Sequence, residues 1–260
     1  MKRITINNII KKKGVKPITC LTAYSKSISE ILDNRCDIIL VGDSLGMVLY
    51  GMKNTKSIEI ETMINHGKVV KKFAKKSLVI IDMPFKSYSN KFTAYKNAKR
   101  IMKETKCDGV KLEGGKKIIN IVKFLVKKKI PVMGHVGLLP QSSKKFSVKG
   151  KSDFEKKKII EDSVLLSKAG VFCIVIECVI ESLAKKITNL IAVPTIGIGA
   201  SKYCDGQVLV TDDMLGLSNF TPRFVKRYSN LRKIIKKSVN NYCNDVKKRR
   251  FPFFKNIYKY

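Results

Sequence analysis

Acidic residues directly follow short apolar runs at four places: Asp43 after ILVG, Asp82 after LVII, Glu113 after VKL and Glu177 after CIVI. A single acid at such a position is often the N-cap of the next helix. Four acids gathered at one edge of a sheet would repel one another, so they need a counter-charge. A divalent cation provides one, and the carboxylates of Asp43, Asp82 and Glu113 are hard oxygen ligands that suit Mg²⁺.

Three further side chains suggest how a substrate could be handled. Lys111 stands two residues before Glu113 and therefore faces the same side of the strand. It could act as a Schiff-base nucleophile, although neighbouring carboxylates favour a charged ammonium group that binds an anionic substrate instead. Glu177 follows the apolar residues 171–176, and burial is expected to raise its pKa and suit it to general-base catalysis, the alternative being a buried salt-bridge partner. His135 could bond to substrate or orient a carboxylate.

Eight short apolar runs flanked by glycine or proline are typical of strands that are buried on both faces. Their predicted bounds are 18–23, 38–42, 78–82, 109–112, 132–136, 173–176, 195–198 and 207–210. Segments with helical periodicity separate most of them, which implies parallel strands with right-handed crossovers. We therefore predict an α/β fold, the (β/α)₈ or TIM barrel, with an open doubly wound sheet as the alternative. Catalytic groups of such barrels collect at the carboxyl ends of the strands, where the acids stand.

The chain length favours one domain, because 260 residues match the roughly 250 of a typical (β/α)₈ barrel. We predict a single barrel domain over 1–260, with an extra C-terminal helical region at about 221–248 and a basic, aromatic tail at 251–260. The sequence has neither a dinucleotide-binding G-x-G-x-x-G motif nor a P-loop motif. Its seven cysteines lack C-x-x-C spacing, and no apolar run reaches the roughly 18 residues of a membrane span. We expect a cytoplasmic protein with no membrane partner.

The chain is strongly basic, with 53 lysines and arginines against 20 acidic residues and a formal net charge of +33. Such a charge permits a nucleic-acid partner, and a basic nucleic-acid-binding protein is the non-enzyme alternative. The lysines are spread over the whole chain, however, and none of the usual nucleic-acid-binding motifs is present. We therefore predict no nucleic-acid partner.

Nine segments resemble, in order and spacing, the ketopantoate hydroxymethyltransferase family over about residues 18–253. They are ITCLTAYS, CDIILVGDSLGMVLYG, MINHGK, IDMPFKSY, GVKLEGG, IPVMGHVGLLPQS, IVIECV, PTIGIGA and CDGQVLVTDDMLGL. The resemblance implies a Mg²⁺-dependent enzyme that transfers a hydroxymethyl group from 5,10-methylenetetrahydrofolate to 3-methyl-2-oxobutanoate. The product would be 2-dehydropantoate, in the first step of pantothenate biosynthesis. The resemblance also implies a homo-oligomer, commonly a decamer.

The resemblance assigns roles to individual residues as well. The residues that it assigns to the metal site are Asp43, Asp82 and Glu113. It implies that Ser44 and Lys111 hold the substrate carboxylate and that Glu177 is the base. The full set of predicted substrate contacts is Asp43, Ser44, Asp82, Lys111 and His135.

One loop departs from the family pattern. After its PQS segment the family usually has a longer, glycine-rich loop with a GGYKVQG-like run, whereas residues 139–150 read LPQSSKKFSVKG. We therefore predict a shorter loop in this chain. Two enzyme alternatives stay open: a Mg²⁺-dependent C–C lyase of the phosphoenolpyruvate mutase and isocitrate lyase type, and Schiff-base aldolase chemistry at Lys111.

Overall fold

The computed structural model describes residues 3–143, 146–219 and 221–258. The chain divides into two compact units, residues 1–210 and residues 211–260. The first unit contains eight strands that close into a parallel barrel in sequence order, with β8 paired to β1. The predicted (β/α)₈ barrel is thus confirmed, and the open doubly wound sheet is wrong.

Each strand begins and ends within one residue of the position that the sequence predicts. The strands are β1 (Ile18–Thr22), β2 (Ile38–Val41), β3 (Leu78–Asp82), β4 (Gly109–Glu113), β5 (Val132–Gly137), β6 (Cys173–Glu177), β7 (Thr195–Ile198) and β8 (Gly206–Leu209). The agreement is close because residues buried on both faces of a parallel sheet form unbroken apolar runs that glycine, proline or a polar residue ends.

Helices precede the first strand and connect most of the others. They are α1 (Ile6–Ile10), α2 (Lys26–Leu32), α3 (Leu45–Val48), α4 (Ile60–Phe73), α5 (Lys91–Thr105), α6 (Ile119–Lys127), α7 (Asp153–Lys168) and α8 (Glu181–Leu190). Side-chain caps begin two of the long helices: Asn90 accepts from the backbone of Phe92 and Thr93 before α5, and Ser152 accepts from Glu155 in α7. The short helices α1 and α3 give too few turns for a periodic signal, so the sequence did not indicate them.

Two apolar clusters lie on opposite sides of the barrel wall. The strand residues of the inner cluster are Ile18, Cys20, Ile38, Leu40, Leu78, Ile80, Met133, Cys173, Val175, Ile196 and Val208. The fully buried Ile9 of α1 belongs to the same inner cluster. The outer cluster combines alternate strand residues such as Ile39 and Val79 with helix residues such as Met63 and Ala98. Side chains that alternate along each strand therefore fill the barrel and attach the helices to it.

A carboxylate at the end of α2 fixes the loop that leads into β3. Asp33 accepts hydrogen bonds from the backbone N–H groups of Lys75, Lys76 and Ser77 at 2.8 to 3.0 Å. Burial by itself would raise the pKa of Asp33, but these donors lower it below its ordinary value. The loop is thereby held at the start of the strand that carries Asp82.

The described residues of the second unit form two α-helices, α9 (Thr211–Met214) and α10 (Leu231–Lys247). The helical region predicted at about 221–248 includes α10, whose first turn is capped by the side chain of Asn230. A short 3₁₀ turn follows at Phe254–Asn256, within the predicted tail, of which residues 259 and 260 lie outside the described residues. Across the described part of the chain, no helix is both long and apolar enough to cross a membrane.

Candidate active site

The carboxyl ends of neighbouring strands carry the polar residues of the barrel mouth. Along β3, β5 and β6 these residues lie two positions beyond members of the inner apolar cluster, so they continue the same inward face. The strand register sets Asp82 opposite Lys111 and Glu113 opposite His135. Glu177 ends the adjoining strand β6. The mouth therefore gathers charged side chains from consecutive strands into one place.

Lys111 and Asp82 form a buried ion pair. The distance from Nζ to Oδ1 is 2.8 Å, and the two side chains are 6% and 3% exposed. The other oxygen of Asp82 accepts a hydrogen bond from the backbone N–H of Asp43 at 3.1 Å. Burial by itself would lower the pKa of Lys111, but Asp82, Glu113 and Asp43 raise it above its ordinary value. An ammonium group held in this way stays charged, which supports anion binding and disfavours Schiff-base chemistry.

Gln141, in the loop after β5, joins two of the predicted metal ligands. Its Nε2 donates to Oδ2 of Asp43 at 2.8 Å, and its backbone N–H donates to Oε2 of Glu113 at 3.0 Å. Burial, followed by the carboxylates of Asp82 and Glu113, raises the pKa of Asp43. Burial would also raise the pKa of Glu113, but its contact with His135 lowers it. Negative charge is therefore concentrated around Asp43.

His135 lies between the carboxylates of Glu113 and Glu177. Its Nδ1 is 3.5 Å from Oε1 of Glu113, and its Nε2 is 3.2 Å from Oε2 of Glu177. Neither contact has the direction of a hydrogen bond, so charge rather than directed bonding holds the ring. Burial by itself would lower the pKa of His135, but the two carboxylates raise it to about 9. The protonated ring is placed to orient Glu177, which is one of the two roles open from the sequence.

Ser44 follows Asp43 at the start of α3 and faces a tyrosine. The Oγ of Ser44 lies 2.8 Å from the hydroxyl of Tyr24, the second residue after β1. Gly42 leaves the space for this arrangement, because a Cβ there would come within 2.8 Å of that Oγ. Nδ1 of His66 donates to the backbone oxygen of Tyr24 at 2.7 Å, so this α4 histidine holds the backbone of the loop that carries Tyr24.

The structure brings all of the predicted site residues to one mouth. They are Asp43, Ser44, Asp82, Lys111, Glu113, His135 and Glu177. The sequence reasoning missed three neighbours, Tyr24, Tyr88 and Gln141, of which Tyr88 donates its hydroxyl proton to Oε1 of Gln141. Their position could have predicted two of them, because Tyr24 and Gln141 lie in the loops that follow β1 and β5. Both residues belong to segments that carry the family resemblance, ITCLTAYS and LLPQS.

The chemistry of the mouth fits a divalent cation. Among the described residues, no three side chains of His, Cys, Asp or Glu converge closely enough to enclose an ion by themselves. Mg²⁺ usually takes only one or two protein carboxylates and fills its other positions with water and substrate oxygens. Asp43 and Asp82 are adjacent and buried, and burial together with the neighbouring carboxylates of Asp82 and Glu113 raises the pKa of Asp43, so the site has a surplus of carboxylates. A cation would offset that surplus, so the residues present suit Mg²⁺.

An open cavity of about 670 Å³ adjoins the mouth. Glu113 and Gln141 line it, so it borders the polar network described above. Tyr88 adds an aromatic ring to its wall, and Lys86 and Lys117 add positive charge. Its volume lies within the roughly 300–1,000 Å³ of small-molecule sites, so it can hold a second ligand beside the mouth.

The loop at 139–150, predicted to be shorter than in the family, returns to the end of β6. Residues 144 and 145 lie outside the described residues. On one side of them Gln141 is anchored in the mouth, and on the other the N–H of Lys149 donates to the carbonyl of Cys178 at 2.7 Å. Both described parts of the loop are thus attached to the carboxyl end of the barrel.

Two solved structures with a similar fold are of enzymes with other names. Phosphonopyruvate hydrolase in complex with oxalate and Mg²⁺ gives a TM-score of 0.64 at 8% identity, covering 97% of this chain and 93% of that chain. The 2,3-dimethylmalate lyase of the phosphoenolpyruvate mutase and isocitrate lyase superfamily gives a TM-score of 0.62 at 8% identity, covering 96% and 87%. At this identity the likeness shows the fold alone, so it does not favour lyase chemistry.

Relatives in sequence are far more similar. The 3-methyl-2-oxobutanoate hydroxymethyltransferase of Pelagibacter ubique is 55% identical over 253 residues, covering 97% of this chain and 98% of the relative. The protein of the same name from Phenylobacterium zucineum is 50% identical over 262 residues, covering 99% and 95%. The family model described as ketopantoate hydroxymethyltransferase matches residues 3–253. The chain therefore belongs to the ketopantoate hydroxymethyltransferase family and is a transferase.

Proposed function

We propose that this barrel mouth catalyses the Mg²⁺-dependent transfer of a hydroxymethyl group from 5,10-methylenetetrahydrofolate to 3-methyl-2-oxobutanoate, giving 2-dehydropantoate. One observation carries the proposal: a continuous set of buried contacts links the carboxylates of β2 to β4 with the histidine and glutamate of β5 and β6. Such a set can bind an anionic 2-oxo acid at one end and remove a proton at the other.

The acidic and basic side chains of β2 to β4 would bind the substrate. Lys111 stays charged against Asp82 and can pair with the substrate carboxylate, while the Oγ of Ser44, oriented by Tyr24, adds a hydrogen bond. Asp43, Asp82 and Glu113 would hold Mg²⁺. When bound, the ion supplies Lewis-acid stabilisation of negative charge on the 2-oxo oxygen.

Glu177 would act as the base. Its carboxylate takes the proton from C3 of the substrate, and the Nε2 of His135, 3.2 Å away, keeps that carboxylate oriented. Carbon C3 then forms a bond to the methylene carbon of the donor. The two carbon–nitrogen bonds that join this methylene carbon to the donor break, and a water oxygen bonds to the carbon as the new hydroxyl group. The proton removed from C3 and one proton of that water end on the two donor nitrogens, and tetrahydrofolate leaves.

The donor requires a place of its own beside the mouth. The cavity bordered by Glu113 and Gln141 has a suitable volume of about 670 Å³. Tyr88 offers a ring for stacking against an aromatic ligand, and Lys86 and Lys117 can face the carboxylates of its glutamate portion. We therefore assign this cavity to the folate donor.

Deuterium exchange at C3 of 3-methyl-2-oxobutanoate, followed by NMR, tests the proposal without the donor. We expect exchange with Mg²⁺ and none with EDTA. Glu177→Gln should bind the substrate but exchange its C3 proton about 10²–10⁴ times more slowly. Glu181→Gln is a matched control, because Glu181 contacts Ser201 rather than the mouth. Exchange by Glu177→Gln at the wild-type rate would remove this residue from the base role.

Product assays separate this reaction from its rivals. A C–C lyase would form product without methylenetetrahydrofolate, whereas the transferase needs it. Trapping of a Lys111 adduct by borohydride would instead reveal Schiff-base chemistry. A homo-oligomer acting in the cytoplasm also belongs to the proposal, and sedimentation velocity at several protein concentrations measures the assembly.

A further inference from the structure

Gln141 is 2% exposed although it lies in a loop rather than a strand. Its side chain donates to Oδ2 of Asp43, and its backbone donates to Oε2 of Glu113, at 2.8 and 3.0 Å. Asp43 follows β2 and Glu113 ends β4, while Gln141 itself follows β5. One residue thus connects two carboxylates that come from different strands of the mouth.

The contacts of Gln141 require an amide side chain. Its Nε2 donates to Asp43 and also to the backbone carbonyl of Met83 at 3.0 Å, while its Oε1 accepts from Tyr88. A glutamate at this position would lack both donors and would add negative charge beside Asp43. A methionine of similar length would fill the space but leave the carboxylate and the carbonyl without this donor. The amide therefore fixes an orientation that packing alone would not.

We infer that Gln141 is a positioning residue that holds Asp43 and Glu113 in the arrangement in which they receive the metal ion. The inference rests on the proposed function, because it concerns the same ion. Gln141 engages one oxygen of each carboxylate, which restricts the rotation of both groups. Hydrogen-bond partners of metal ligands typically change metal affinity or activity 10–100-fold when they are removed.

Binding of Mn²⁺, followed by electron paramagnetic resonance without substrate, measures ion affinity independently of turnover. We expect Gln141→Met to weaken Mn²⁺ binding about 10–100-fold. In the C3 exchange assay the same variant should need more Mg²⁺ for half-maximal rate, while its rate at saturating Mg²⁺ falls much less. If Gln141 had a purely structural role, the variant would lose stability, but its Mg²⁺ requirement would not change more than its rate at saturating Mg²⁺.

Gln207→Met is the matched control, because Gln207 is an exposed residue of β8 whose amide donates to the carbonyl of Ser201. It should keep the wild-type Mn²⁺ affinity. If Gln141→Met fails to fold, Tyr88→Phe takes its place, since it keeps the ring and removes the hydroxyl that donates to Oε1 of Gln141 and lies 3.4 Å from the carbonyl of Glu113. Wild-type Mn²⁺ affinity in the folded variant would overturn this inference but leave the proposed function standing. Absence of Mn²⁺ binding by the wild-type protein would overturn the proposed function and the inference with it.

Discussion

Replacing Lys111 by methionine removes the positive charge opposite Asp82 and keeps a side chain of similar length. The two side chains are 6% and 3% exposed, so water cannot take the place of the lost ammonium group. Removing one partner of a buried pair leaves an uncompensated charge and costs about 3–5 kcal/mol. The backbone N–H of Asp43 still donates to Asp82, which favours the lower end of that range. We therefore expect Lys111→Met to lose about 3 kcal/mol of unfolding free energy.

The assay is urea unfolding in EDTA, supported by the midpoint of thermal unfolding. A loss of about 3 kcal/mol corresponds to a fall of roughly 6–12 °C in Tm for a chain of this size. Lys68→Met is the matched control. Lys68 pairs with Glu104 at 2.7 Å, but the two side chains are 48% and 31% exposed, so its loss should cost less than about 1 kcal/mol.

A double-mutant cycle with Asp82→Asn isolates the pair itself. Because the double variant leaves neither charge unpaired, it should be at least about 2 kcal/mol more stable than the sum of the two single effects implies. If Lys111→Met costs no more than Lys68→Met, or if the two changes are additive, Lys111 is not held charged by Asp82. Schiff-base chemistry at Lys111 would then stay open, and the carboxylate-binding role of Lys111 would lose its physical basis.

Three further changes probe the metal site, the scaffold and the donor cavity. Asp43→Ala should weaken Mn²⁺ binding at least about 10-fold and abolish Mg²⁺-dependent exchange, and normal Mg²⁺ dependence would refute the ligand assignment. Asp33→Ala should cost about 1.5 kcal/mol in urea unfolding at pH 7. Because the folded-state pKa of Asp33 is lowered, this difference should shrink as the pH falls below about 4, and a pH-independent difference would refute the charge explanation. Lys117→Glu should raise KM for the donor about 3–10-fold without slowing donor-free exchange, whereas an unchanged KM would place the donor elsewhere.

The barrel and most of its mouth could be predicted because both follow from local patterns. Strands buried on both faces appear as unbroken apolar runs, and the side-chain period of two places Lys111 and Glu113 on one face. Each acid that follows such a run reaches the carboxyl end of the barrel, so the strand pattern alone predicts the placement of Asp43, Asp82 and Glu177.

The remaining parts of the mouth depend on contacts between distant segments. Gln141 contacts Asp43 although the two residues are 98 positions apart in the chain, and the sequence near either residue does not predict that contact. The partnership of Tyr24 with Ser44 likewise depends on how the loop after β1 folds. Polar residues in rim loops can be recognised as candidates by position, but their partners follow only from the closed barrel.

The arrangement of charges separates two tasks by strand. The carboxylates and the ammonium group that β2 to β4 bring to the mouth would bind the ion and the anionic substrate of the proposed reaction. Residues of β5 and β6 provide His135 and Glu177, whose contact at 3.2 Å would serve the proposed proton transfer. The contact between Glu113 and His135 joins the two groups, so a substrate held by Lys111 and Ser44 would lie close to Glu177 in the proposed reaction. Loss of Asp43 should therefore weaken ion binding and lower exchange together, whereas loss of the Glu177 carboxylate should slow exchange and leave ion binding intact.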